Sequence, residues 1–287
     1  MRDLTEENLT DAVIASLQNS KDPRYREIMT SLIRHLHGFI REVKPTDEEW
    51  MAGIQFLTDV GHKCDDLRQE FILLSDTLGV TALKDTINYP VTPGATEATV
   101  LGPFHREGAP EVPLMHNIAD DFPGDPTLVY GKVTSVDGKP IANAQLDVWE
   151  GNDDGFYDVQ LEELNGAMAL RGRLRTDKEG NYSFKTIKPV SYPVPTDGPV
   201  GVMLDKTGRQ ANRPAHIHFI LSADGYRTLT THIFSEGDPY LESDPVFGVK
   251  NSLVIDFIKE ESGDEMEKYG FQTPFYKAHY DFTLIPA

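Results

Sequence analysis

Cysteine is nearly absent: Cys64 is the one thiol in 287 residues. That excludes a disulfide framework within the chain and any Cys-rich zinc or iron–sulfur site. Long apolar runs are missing as well, and no stretch of the sequence approaches the roughly 20 apolar residues of a membrane span. Positive charge is scarce. Lys plus Arg number 27 against 46 Asp plus Glu, a formal net charge of −19. Nucleic acid demands a basic footprint, so it is not an expected partner. The opening residues, Met1-Arg-Asp-Leu-Thr-Glu-Glu, hold no apolar signal core, and the expected location is cytoplasmic. Internal repeats and low-complexity segments are also lacking.

What is present divides into two halves with different patterning. Residues 1–95 read as helix. Asp22 can cap a helix that starts at Pro23, a favoured first position for proline. Ile28, Leu32, Leu36, Phe39 and Val43 then recur at spacings of four and three, one apolar stripe. Thr46 and Glu49 form a capping box ahead of Trp50, Ile54 and Leu57. Leu67, Phe71, Leu74 and Leu78 make a further stripe that Gly79 can stop, and Leu9, Val13 and Leu17 suggest an earlier helix. From residue 96 to 287 short strands dominate. Segments 128–134, 144–149, 169–175, 182–185, 215–220, 230–234, 252–257 and 280–285 carry the strand signals, and Val136-Asp-Gly-Lys reads as a hairpin turn. Many short strands separated by turn residues mean a sandwich or barrel. The proline-rich stretch 189–199 reads as a long ordered loop, and loops of that length are often functional.

Chemistry concentrates at Arg213-Pro-Ala-His216-Ile-His218-Phe. Residues two apart on a strand share a face, so His216 and His218 project together while Ile217 and Phe219 pack behind them. Two imidazoles on one rigid face make half of a metal site; the plainer alternative is two solvent-facing histidines. Without cysteine, further ligands must be oxygen donors. Asp153, Asp154 and Asp158 lie in a Gly-rich acidic loop that could supply them, bind calcium or simply be solvated; its spacing is not that of an EF-hand.

Three motifs together carry a resemblance. Asp-Val-Trp-Glu-Gly-Asn-Asp-Asp-Gly-Phe-Tyr157-Asp, Val-Ser-Tyr192-Pro-Val-Pro and Arg213-Pro-Ala-His216-Ile-His218 are similar to those of the intradiol catechol dioxygenases. The likeness covers most of the chain, including the helical half and the Leu101-Gly-Pro-Phe segment. It implies an α+β fold: a helical dimerisation or linker domain over 1–95, then a mostly antiparallel β-sandwich catalytic domain over 96–287. It implies Fe(3+) held by Tyr157 and His218 as equatorial ligands and by Tyr192 and His216 as axial ones. Tyr192 would also accept a substrate proton, and Arg213 would stabilise charge on the ring. Leu73, Asp76, Leu101, Gly102, Pro103, Pro195, Arg213, His232 and Val246 would contact substrate. His232 stands where many catechol-cleaving members have glutamine, and Phe71-Ile-Leu-Leu-Ser-Asp76-Thr-Leu-Gly most resembles the branch that cleaves hydroxyquinol. The implied reaction joins both atoms of O2 to 1,2,4-trihydroxybenzene and yields 3-hydroxy-cis,cis-muconate, which tautomerises to maleylacetate. Catechol or chlorocatechol 1,2-cleavage is the alternative within the family, and a non-catalytic β-sandwich binding module the alternative outside it. The resemblance also implies a homodimer joined through the N-terminal helices, as in members of the family, which often hold an amphipathic phospholipid between them. Phenolate oxygens are hard anionic donors suited to ferric iron, and a trivalent cation can hold tyrosine, with its ordinary pKa of about 10, deprotonated.

Overall fold

The computed structural model describes residues 2–66, 68–120 and 122–287, so Leu67 of the third apolar stripe lies outside the described residues. Contacts divide the chain into two compact units, Met1–Thr58 and Asp59–Ala287.

The first unit is helical. It holds α1 (Leu9–Ala15), α2 (Pro23–Val43) and most of α3 (Asp47–His62). Asp22 caps α2 by accepting from the amides of Arg24 (2.9 Å) and Tyr25 (3.1 Å). At α3 the capping box is complete: Glu49 accepts from the Thr46 amide at 2.8 Å, and Thr46 Oγ1 from the Glu49 amide at 3.2 Å. The stripe Ile28, Leu32, Leu36, Phe39 and Val43 is exposed along its length, as are Trp50, Ile54 and Leu57. No residue of α2 is buried.

The second unit adds α4 (Glu70–Thr77) and α5 (Val80–Asn88), with Gly79 in the left-handed region between them at φ 71°. Twelve strands and two further helices follow among the described residues: β1 (Pro126–Ser135), β2 (Gln145–Trp149), β3 (Arg171–Arg175), β4 (Asn181–Ile187), β5 (Tyr192–Pro193), α6 (Pro199–Lys206), β6 (Asn212–Arg213), β7 (His216–Ser222), β8 (Leu229–Ser235), β9 (Val254–Ile255), β10 (Phe257–Glu260), α7 (Gly263–Tyr269), β11 (Phe275–His279) and β12 (Phe282–Leu284). One sheet runs β3-β2-β7-β8-β9. In the other, β1 pairs with β4 on one side and with β11 and β12 on the other, and β10 adds to β11. Pairing is mostly antiparallel; β1 with β11, β1 with β12 and β8 with β9 are parallel. The sheets enclose one core. Val129, Val133, Phe184 and Phe282 come from β1 and its neighbours β4 and β12, and Leu146, Val148, Ile217, Phe219 and Ile233 from the opposite sheet. The fold is the α+β arrangement of helices followed by a β-sandwich.

Three local expectations change. The turn at Val136–Lys139 closes, but its return arm is a single bridge, Thr134 to Pro140, because proline supplies no amide to extend a ladder. Segment 252–257 is broken into a 3-10 turn (Asn251–Leu253) and the starts of β9 and β10. The proline-rich loop contains a short strand, β5, and ends where Pro199 takes the first position of α6.

Candidate active site

The sheet that carries β7 has two unlike faces. Ile217, Phe219 and Leu221 enter the core. His216 and His218 emerge on the other side by the period of two. Register then sets their neighbours: Trp149 on β2 and His232 on β8 stand directly opposite His218. Trp149 stacks on the His218 ring with centroids 4.6 Å apart, and His232 meets it edge-on at 4.1 Å. All four side chains are buried.

Two loops bring tyrosines to this row. Tyr157 ends the glycine-rich turn after β2, and its ring stacks on Phe104 at 4.5 Å. Its neighbour Asp158 is buried and accepts from Arg171 Nε (2.6 Å), Arg106 Nη1 (3.1 Å) and the Ala169 amide (3.2 Å). Asp158 therefore anchors the tyrosine loop and is spent on cations of the protein. It is not available as a metal ligand, which corrects one reading of the acidic loop. Asp153 and Asp154 lie in a turn whose amides are gathered by Asn152 Oδ1. Tyr192 is brought in by β5, which pairs with β6 so that Tyr192 faces Arg213. The close pass of the two loops needs a glycine: a Cβ on Gly155, at φ +82°, would stand 2.4 Å from Tyr192 Cβ.

Four atoms converge. Tyr157 Oη lies 2.9 Å from Tyr192 Oη, 2.9 Å from His218 Nε2 and 3.5 Å from His216 Nε2. Tyr192 Oη is 3.4 Å from His216 Nε2, and the two Nε2 atoms are 3.1 Å apart. His216 Nδ1 sits 2.7 Å from the Pro214 carbonyl. Only an N–H can serve a carbonyl, so Nε2 of His216 presents its lone pair to the cluster. Atoms bound at about 2.1 Å to one ion stand about 3 to 3.5 Å apart, which is the spacing seen. His232 joins the two histidines in a looser group whose ligand atoms lie within 4.8 Å of one another. The tighter set, two phenol oxygens and two imidazole nitrogens, is the better fit to an ion.

Electrostatics agree with that chemistry. Burial holds His216 and His218 well below the ordinary histidine range, with Arg213 adding to the effect on both, so both rings are neutral donors. Burial pushes Tyr157 up, and Tyr192 beside it pushes in the same direction. Tyr192 is raised by burial too, against the pull of Arg213. With both pKa values raised, these phenols keep their protons at neutral pH in the absence of a bound cation. Arg213 Nη1 points at His216 Nε2 from 3.0 Å. Burial disfavours the guanidinium charge, but Asp244, Tyr192 and Tyr157 together outweigh it and Arg213 stays charged.

The remaining predicted residues fall at different distances. Leu73 and Asp76 are both buried on α4. Asp76 Oδ1 has no hydrogen-bond partner among the described residues, and burial lifts the carboxyl from 3.8 to about 6 against the pull of Thr81 and Arg213. A Cβ on Gly102 would lie 3.3 Å from His218 Cε1, so the 101–104 segment crosses the histidine ring. Val246 is buried, Pro103 half-buried and Leu101 exposed. Pro195 lines a cavity with Phe104, Phe156, Val159 and Val194. Sequence patterning did not single out Asp244, and it gave neither Asp158 its anchoring role nor Phe104 its stacking role. Phe104 at least follows the Leu-Gly-Pro motif; Asp244 has no local signal.

Comparison with known proteins agrees with this architecture. Residues 100–285 match the family described as Dioxygenase, and residues 22–96 match Catechol dioxygenase N terminus. A hydroxyquinol 1,2-dioxygenase of a Rhizobium species is 48% identical over 280 residues, covering 97% of this chain and 95% of that protein. A 6-chlorohydroxyquinol 1,2-dioxygenase of Cupriavidus pinatubonensis is 48% identical over 286 residues, covering 100% and 99%. The solved hydroxyquinol 1,2-dioxygenase of Pseudomonas putida superposes with a TM-score of 0.89 at 48% identity, covering 98% of this chain and 99% of that one. Among the described residues no helix is long and apolar enough to cross a membrane. With two tyrosines and two histidines meeting on a β-sandwich and both family matches in chain order, the chain belongs to the intradiol ring-cleavage dioxygenases and is an enzyme of that class.

Proposed function

We propose that this enzyme is an Fe(III)-dependent hydroxyquinol 1,2-dioxygenase whose ion is held by Tyr157, Tyr192, His216 and His218. The convergence of those four donor atoms in a buried site, with Tyr157 Oη and His216 Nε2 each within 3.5 Å of the other three, carries the proposal. Two phenolates and two neutral imidazoles suit a hard trivalent cation, since the phenolates offset much of its charge away from water. When bound, ferric iron supplies a Lewis-acid centre that draws electron density from a catecholic ring and opens it to O2.

The chain's own residues do the rest. Tyr192, once a phenolate, is a strong base in a dry site and takes a proton from a substrate hydroxyl. Arg213 is a fixed, desolvated cation beside the ring and stabilises negative charge as it develops. Leu73 and Val246 form apolar walls, and Leu101, Gly102, Pro103, Pro195 and His232 complete the contacts. The unpartnered Oδ1 of Asp76 accepts a hydrogen bond from the third hydroxyl of the substrate. A hydrogen bond to a charged group contributes about 1.5–3 kcal/mol, a preference of roughly ten- to a hundredfold over catechol. The identity with hydroxyquinol-cleaving relatives supports the same substrate. We also infer a cytoplasmic homodimer joined through the exposed α2 stripe, with a phospholipid at that face; large unpartnered apolar patches of this kind mark interaction surfaces.

The test is substrate-dependent O2 uptake by the iron-loaded protein, with the product identified. Hydroxyquinol should give 3-hydroxymuconate or maleylacetate, and the protein should show a visible tyrosinate-to-iron band that Tyr157→Phe shifts or removes. Faster turnover of catechol or chlorocatechol would reassign the substrate. A colourless protein whose Tyr157→Phe variant binds iron equally well would overturn the ligand set.

A further inference from the structure

One carboxylate holds the fork of Arg213. Asp244 lies 31 positions along the chain, with Oδ1 3.1 Å from Arg213 Nε and Oδ2 3.4 Å from Nη2. Both side chains are buried, at 3% and 2% exposure. The same carboxylate accepts from the amides of Val246 (3.3 Å) and Gly248 (2.9 Å), so the 244–248 turn closes on it. Thr99 Oγ1 donates to the Gly248 carbonyl at 2.5 Å and ties the turn down from outside. The packing leaves no slack: a Cβ on Gly248 would stand 3.1 Å from Arg213 Nη2 and 3.1 Å from Asp244 Oδ2. A guanidinium is planar, so fixing Nε and Nη2 fixes the third nitrogen. That nitrogen, Nη1, is the one facing the cluster, 3.0 Å from His216 Nε2.

We propose that Asp244 is a positioning residue for ring cleavage, aiming Arg213 at the substrate and holding the Val246 wall in register with it. The inference rests on the reading of Arg213 as the cation that stabilises charge on the ring. Asp244 touches neither the four donor atoms nor, on this reading, the substrate. It acts through Arg213, and a cation that can rotate loses more in the transition state than in the ground state.

A double-mutant cycle tests this on the iron-loaded enzyme with hydroxyquinol. Asp244→Asn should keep iron content and the visible band, lower kcat at least about tenfold, and change KM less than about threefold. In an Arg213→Ala background the same substitution should lower kcat less than about twofold further. Gly248→Ala keeps the carboxylate but crowds the pair, and should show the same pattern in both backgrounds; it decides the question if Asp244→Asn does not fold. Equal losses in the two backgrounds would make Asp244 a structural ion pair and overturn the proposal. So would wild-type kcat in Asp244→Asn, or loss of its iron, which would mean that Asp244 acts on the metal ligands. Full turnover by Arg213→Ala is a separate outcome: it would remove Arg213 from the reading of the site, and the inference with it.

Discussion

The two units of this chain depart from ordinary burial in opposite ways. In the first, Ile28, Leu32, Leu36, Phe39 and Val43 lie on the water-facing side of α2. In the second, His216, His218, His232, Arg213, Asp244 and Asp76 are withdrawn from water. An exposed apolar stripe and a buried polar cluster are each costly in isolation, and each is explained by something that completes it. For the stripe the proposed completing element is apolar surface. For the cluster the proposed completing element is positive charge, because four electron-rich atoms packed together in a dry site repel unless a cation or shared protons lie among them. A finer version of the contrast exists on β7 alone, where alternate residues serve the core and the site.

Neighbouring substitutions on β7 should separate these roles most sharply. His218→Ala removes a donor, and turnover should fall more than about 100-fold with loss of bound iron, since even outer partners of metal ligands are worth 10–100-fold. Metal analysis and O2 uptake would show it. One residue along, Phe219→Ala opens the core between the sheets. It should lower unfolding stability by about 3–5 kcal/mol while the folded fraction keeps its iron. Equal iron loss in both variants would break the distinction between the faces.

Asp76 sharpens the contrast through pH. Its folded pKa, about 6, lies above the ordinary 3.8, so the protonated form suits the fold better. The stabilising contribution of the neutral carboxyl is full below about pH 4 and is lost as pH rises through 6. Asp76→Asn, neutral throughout, should therefore exceed wild type in stability at pH 7 by up to about 3 kcal/mol and match it near pH 4. The same change should move the hydroxyquinol-to-catechol ratio of kcat/KM toward parity. In wild type that ratio should itself decline as pH drops below 6. A ratio that ignores both the substitution and the pH would sink the role proposed for Asp76.

The smallest catalytic effect is expected in the first unit. Leu36→Glu places a charge in the exposed stripe of α2. Association measured by sedimentation should weaken about tenfold or more, while kcat per protomer stays within about twofold. Wild-type association in this variant would leave the stripe without the proposed partner.

Much of this was legible in residue order. The caps at Asp22 and Thr46, the helix stop at Gly79 and the alternation of β7 are local, because capping and side-chain period depend on neighbours a few residues apart. The period of two was enough to put His216 and His218 on one face. Motif resemblance, not spacing, singled out Tyr157 and Tyr192. Other features could not be read locally. Asp158 looks like any acidic loop residue until Arg171 and Arg106 close on it from 13 and 52 positions away. Asp244 gains meaning only when its turn reaches Arg213. Strand register, set by long-range pairing, put Trp149 and His232 beside His218. The sequence by itself determined which residues could cap, alternate and donate to a metal. Tertiary structure alone decided which of the many carboxylates face a cation, which face solvent, and which, like Asp76, were left buried with one oxygen, Oδ1, unpartnered among the described residues. The physical reason is that desolvation and pairing depend on distance in space, and distance in space between remote segments is not a local property of the chain.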